Sequence, residues 1–166
     1  DLANDGGLVW TKKRNGTVGH RLVDTERGVQ KSLRTEGTDA EAVNANGLTA
    51  FNSDGYSIGS SGSHNAISDT YVSWTFKKQA KFFDVVTYTG TGSTQTINHN
   101  LDSAPGCILI KMTSSSGSDW TVYHRGSNGG TNPALYPLVL NSNGDASSDS
   151  GAFNSTEPSS TTFTVK

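Results

Sequence analysis

The chain states one pattern twice. Gly7-Leu8-Val9-Trp10-Thr11-Lys12-Lys13 and Gly106-Cys107-Ile108-Leu109-Ile110-Lys111-Met112 share a glycine, a four-residue apolar-rich run and a lysine, 99 positions apart (106 − 7). Downstream, His20-Arg21-Leu22-Val23-Asp24 falls opposite Trp120-Thr121-Val122-Tyr123-His124, and Phe51-Asn52-Ser53 opposite Phe153-Asn154-Ser155. Tyr56-Ser57-Ile58 matches Phe163-Thr164-Val165, each step after a small change of offset that loop insertions explain. A repeat of this length is a building plan, so it speaks of architecture before chemistry.

The rest of the chain reads as strand and turn. Only 32% of its 166 residues are hydrophobic and 19 are glycine, the profile of many short strands joined by tight turns. Tyr71-Val72-Ser73-Trp74-Thr75-Phe76 alternates with period two, Val72, Trp74 and Phe76 sharing one face, which predicts a half-buried strand. Phe82 to Tyr88 and Ser118 to His124 also read as strands, and Cys107 to Ile110 is apolar enough to be central in its sheet. Asn15-Gly16, Asn46-Gly47, Asp54-Gly55, Asn128-Gly129 and Asn143-Gly144 tolerate positive φ and favour antiparallel hairpins. The stretches 26–35 and 38–44 could form a helical turn or a loop, and Gly28 favours the loop. The expected fold is an all-β antiparallel sandwich, jelly-roll or concanavalin-like, one domain over 1–166 with pseudo-repeat halves 1–78 and 79–166.

Several function classes are disfavoured. The net charge is −2 and the cations are scattered, so no basic stripe tracks a phosphate backbone and nucleic acid is not an expected partner. The apolar runs are too short to span a bilayer, so membrane insertion is not expected either. The lone Cys107 has no disulfide partner in the chain, and its apolar strand favours a small buried hydrophobe over a nucleophile. His20, His64, His99 and His124 lack the i, i+2 or i, i+4 spacing of a ready metal pair, so neither metal nor cofactor is expected. His99 reads as pinning its turn through a backbone carbonyl, and His20 and His124 as near-equivalent structural positions of the two repeats. Asp24 with Glu26, and Asp39 with Glu41, have the spacing that puts two carboxylates on one face of a strand, but catalytic pairs usually come from different strands. Solvated loop acids are the favoured reading. No Gly-x-Ser-x-Gly elbow occurs in a strand-to-helix context, so no catalytic residues are expected.

Trp10, Trp74 and Trp120 sit in apolar strands, so the core is their first assignment. Exposed aromatic residues for stacking a sugar ring are expected instead at Tyr56, Tyr123 or Tyr136, the last in the proline-flanked loop Asn132-Pro133-Ala134-Leu135-Tyr136-Pro137. Those three tyrosines are the ligand-contact candidates.

A family resemblance rests on motifs in order: Leu8 to Arg14, His20 to Gly28, Leu48 to Gly59 and Tyr71 to Phe76, then Phe82 to Tyr88, Ile97 to Leu101 before Ala104-Pro105-Gly106, Asp119 to His124 and Phe163 to Val165. Over nearly all of its length the chain resembles a domain repeated in large structural proteins of marine tailed bacteriophages. The resemblance implies a lectin-like sandwich in the virion, in a tail fibre or appendage that adheres to a host surface, and it implies no reaction. Implied partners are other virion proteins, copies of the chain itself, and a bacterial surface glycan or protein. The alternatives are a capsid decoration or head-fibre protein and a polysaccharide depolymerase. One departure stands out: the second half has no counterpart of the strand Tyr71 to Phe76, so the chain belongs to a longer protein or a neighbouring copy supplies that strand.

Overall fold

The computed structural model describes residues 1–166. Its strands are β1 (Gly7–Lys13), β2 (Arg21–Asp24), β3 (Lys31–Ser32), β4 (Ala42–Val43), β5 (Leu48–Phe51), β6 (Tyr56–Ile58), β7 (Tyr71–Lys77), β8 (Gln95–Asn98), β9 (Cys107–Ile110), β10 (Thr121–His124), β11 (Leu138–Val139) and β12 (Thr162–Val165). Helix is confined to four short turns, among them α1 (Leu2–Asp5) and α2 (Gly62–Asn65), and none is long and apolar enough to cross a membrane. Every ladder is antiparallel, in sheets ordered β2-β1-β7, β11-β10-β9, β12-β8, β3-β4 and β5-β6. The architecture is therefore all-β, and its period-two pattern is plainest in β1, where Gly7, Val9 and Thr11 are buried while Leu8 and Trp10 are half-buried.

The repeat is visible in the register. Leu8, Val9, Trp10 and Thr11 lie opposite Asp24, Val23, Leu22 and Arg21. Cys107, Ile108, Leu109 and Ile110 lie opposite His124, Tyr123, Val122 and Thr121, so all four pairings recur at equivalent positions. Even the flanking bond recurs, from Thr25 N to Gly7 O at 3.0 Å and from Arg125 N to Gly106 O at 2.9 Å. On the far side of each hairpin, the bridge between Leu22 and Leu33 corresponds to the pairing of Val122 with Leu138.

Equivalent strands bury equivalent side chains. The first core holds Leu2, Val9, Val23 and Leu48 with Phe51 and Tyr56 against it. Another holds Tyr123, Ala134 and Phe153 with Ile108 and Ile110, so Val9 matches Ile108, Val23 matches Tyr123 and Phe51 matches Phe153. Between them Trp120 packs with Leu22, Leu33, Leu8 and Trp10, and its indole N–H donates to the Arg34 carbonyl at 2.7 Å. Burial of that ring contributes about 2–3 kcal/mol and ties the second hairpin to the first.

Four expectations are corrected. Phe82 to Tyr88 forms no strand: Lys81 takes φ 64°, Gln79 and Phe83 close a tight turn, and the Asp84 carboxylate accepts from the amides of Val85 and Asn100 that a ladder would need. β9 is an edge strand rather than a central one, so Cys107 is exposed, although partial shielding of its sulfur pushes the thiol pKa up. His20 is equivalent to Trp120, not to His124, because the register aligns His124 with Asp24. Trp74 lies on the outer strand β7 and is 45% exposed, packed edge-on against Trp10. The stretches 26–35 and 38–44 hold no helix; each is a loop carrying one two-residue strand, and these pair as the ladder β3-β4.

The absence of a third strand beside β9 leaves a mark on its glycine. A Cβ on Gly7 would collide with the Phe76 carbonyl of β7, whereas one on Gly106 would meet only the Arg125 side chain at 2.9 Å.

Phe153 is fully buried and its counterpart Phe51 only partly so. Phe153→Ala is expected to cost about 3–5 kcal/mol in urea denaturation, and Phe51→Ala distinctly less. Equal losses would show that the two positions are not packed as described.

Candidate functional site

Where the two halves of the chain meet, β8 and the segment 85–88 border an open depression of about 390 Å³. Ligand clefts favour such junctions and this size. Its lining includes Glu26 and Lys78 from the first half and Tyr88, Asn98 and Asn100 from the second. The Lys78 ammonium donates to Glu26 at 2.6 Å and lies 3.2 Å from the Asp84 carboxylate. Burial works against the charge on Lys78, but its bonds to Glu26 and Asp84 outweigh that and hold its pKa above the ordinary lysine value. Asp84 in turn accepts from Asn100 N at 2.8 Å, which fixes the rim. Tyr88 sets its ring edge-on to Phe163, and burial raises its phenol pKa. An anchored cation, two primary amides and an aromatic ring can together hydrogen-bond and stack on a polar ring-shaped ligand.

A smaller cavity of about 150 Å³ lies beside β1, β6, β7 and α2, lined by Thr11, Tyr56, His64 and Tyr71 among others. Tyr71 is locked, its hydroxyl donating to Gly62 O and accepting from Ala66 N. His64 is buried, with Nδ1 3.0 Å from the Thr11 hydroxyl, and Nε2 has no partner. Burial, then the charge of Arg21, lowers its pKa, so the ring is neutral near pH 7.

The three candidate tyrosines are not brought together. Tyr56 borders the small cavity and packs on the first core, and Tyr136 is half-buried just after a 3₁₀ turn. Tyr123 is buried, edge-on to Phe153, with its hydroxyl donating to Glu157 at 2.8 Å. The exposure expected of Tyr123 is thus corrected, since strand alternation aims it at the core beside Ile108. Tyr88, Asn98 and Asn100 escape sequence reasoning because two of the residues that complete the depression, Glu26 and Lys78, come from the other half.

The paired acids also have other tasks. Asp24 ends β2, but Glu26 sits in the following turn and bonds Lys78 instead of sharing a strand face. Arg27 joins Asp24 at 2.6 Å to Glu41 at 3.0 Å, and Asp39 lies 3.4 Å from Arg34. Each of the four carboxylates is held by a cation, a structural arrangement. No three His, Cys, Asp or Glu side chains converge to hold a metal ion. His99 pins its turn, as expected, but by accepting from Leu101 N at 3.2 Å rather than by donating to a carbonyl.

Two outcomes test this geometry. Arg27→Met leaves the Asp24 carboxylate buried without its partner and is expected to cost about 3–5 kcal/mol, with Asp24→Asn in the same chain recovering part of the loss in denaturation curves. Tyr123 has its pKa pushed up to about 12 by burial and then by Glu157. An unfolded phenol titrates near 10, so the protonated hydroxyl contributes stability at every pH below about 10, and that contribution disappears as pH climbs through the folded value. Ultraviolet difference titration should show a tyrosine ionising near 12 that Tyr123→Phe removes.

No curated protein and no solved structure matches the chain. A family model covers residues 2–166, and the matched domain carries no assigned function. With that match running over almost every residue, the chain belongs to the family described as domain of unknown function DUF7483.

Proposed function

We propose that the chain is a non-enzymatic structural and adhesion module of a bacteriophage particle, set in a tail fibre or similar appendage and binding a bacterial surface glycan or protein. Resemblance of the ordered strand motifs to repeated virion domains supports the setting. The observation that carries the binding role is the junction depression, where Lys78, Asn98, Asn100 and Tyr88 offer donors, acceptors and a ring to a saccharide. Each of Asp24, Glu26, Asp39 and Glu41 is engaged by a cation that ties two segments of the fold together, which supports a structural role for these acids over a hydrolytic one. Single contacts here are shallow and weak. Several copies on one appendage convert later contacts into intramolecular ones and raise the avidity.

The test is a bacterial glycan array probed with the chain displayed multivalently. Tyr88→Ala and Asn98→Ala are expected to lose roughly tenfold or more of the signal while melting close to the parent, a loss of about 1.4 kcal/mol or more. Silence across the array, or a signal that both variants retain, overturns the assignment of this depression.

A further inference from the structure

The two equivalent hairpins differ in what lies on their third side. Since Gly7 O accepts from Thr25 N, ladder alternation aims the backbone groups of Gly7, Val9 and Thr11 at β2, and those of Leu8, Trp10 and Lys12 at β7. The bonds from Lys78 N to Gly6 O and from Arg14 N to Thr70 O continue that second ladder. Gly106 O accepts from Arg125 N in the same way, so Cys107, Leu109 and Lys111 turn their N–H and C=O groups to the side where the sheet β11-β10-β9 ends. β9 itself holds no proline and no charge, its ladder runs without a bulge, Cys107 is exposed and Leu109 is 43% exposed; the single charge on this edge is Lys111, just past the strand, and only beyond it, where Thr113 O accepts from Glu41 N, does another segment cover the edge.

We propose that this edge pairs with the same edge of a second copy of the chain, antiparallel about a two-fold axis through Leu109. The pattern is self-complementary. In this register Leu109 faces the partner's Leu109, and Cys107 faces the partner's Lys111, so the lysines do not oppose each other. On the other face of the sheet Ile108 meets the partner's Ile110. Roughly six backbone bonds form, and two three-stranded sheets become one of six. The equivalent edge of β1 already accepts an antiparallel strand, β7, which shows that the hairpin tolerates one there. The outer edge of β7, the strand that covers the equivalent edge in the first half, fits less well. β7 bonds β1 through Val72, Trp74 and Phe76, so its outward groups belong to Tyr71, Ser73, Thr75 and Lys77, and pairing would set Ser73 or Thr75 beside Leu109. A C2 contact closes on itself and leaves the junction depression out of the interface, so the pairing stands independently of glycan binding.

Sedimentation velocity of the whole chain over a micromolar concentration range, with reductant present, should show a reversible monomer–dimer equilibrium. Hydrogen exchange should slow at the amides of Cys107, Leu109 and Lys111 as the dimer forms. Leu109→Pro removes no bond within the chain, because that amide points away from β10, and it should abolish the dimer with a near-parental melting curve. Leu109→Lys sets two like charges on the axis and should do the same. Lys111→Cys, oxidised, should give a covalent dimer through Cys107, since the opposed Cα positions lie within disulfide reach. A monomer at every concentration, a dimer that survives both Leu109 variants, or a dimer in which the Leu109 amide exchanges freely would overturn the proposal. So would protection of that amide by a synthetic peptide of Tyr71–Lys77 when the chain alone gives none, which would make the occupant a β7-type strand from elsewhere.

Discussion

Trp120 is the contact on which the arrangement of the molecule depends. It lies immediately before β10, is 4% exposed, and packs against Leu22, Leu33 and, on β1, Leu8 and Trp10. Apolar burial supplies most of the attraction, and the bond from its indole N–H to the Arg34 carbonyl sets the orientation, because a buried donor without a partner would cost more than the bond gains. The two hairpins hold separate cores, so without this ring little apolar surface would join them.

One backbone plan therefore serves two environments. In the first hairpin Trp10 is shielded by Trp74 of β7 and by the second half, and its N–H donates to His20. Leu109 takes the same place in the second hairpin and meets solvent, because no second strand adjoins β9 on the side away from β10. The residue types agree with the difference: a tryptophan where two elements converge, a leucine and a cysteine where an edge is open. Edges of that kind promote association unless a charge or a proline blocks them.

Charge in this chain is used chiefly for architecture. Arg27 clamps Asp24 and Glu41 and so joins the end of β2 to a distant loop, while Lys78 joins the turn at Glu26 to the segment leaving Asp84. Ion pairs as shielded as that of Arg27 gain from weak screening and depend on both partners remaining present. The same economy shapes the candidate site, whose cation is positioned by its structural role and still borders open space.

Strand content, antiparallel pairing and the duplication were legible in the residues, because alternation and turn chemistry are local properties and a repeat needs only comparison of the chain with itself. Val9 and Ile108, or Val23 and Tyr123, follow from pattern alone. Sheet position does not. The apolar run of β9 has the composition of a central strand, and only the lack of a second neighbour makes it an edge, with Cys107 exposed and Trp74, not Tyr123, among the aromatic residues that reach solvent. The segment from Phe82 to Tyr88 alternates like a strand, yet side-chain bonds from Asp84 to remote and adjacent amides capture the donors a ladder requires. The depression eluded the sequence for the same reason: Glu26 and Lys78 line it together with Asn98 and Asn100, and the approach of distant segments leaves no periodic trace in the chain.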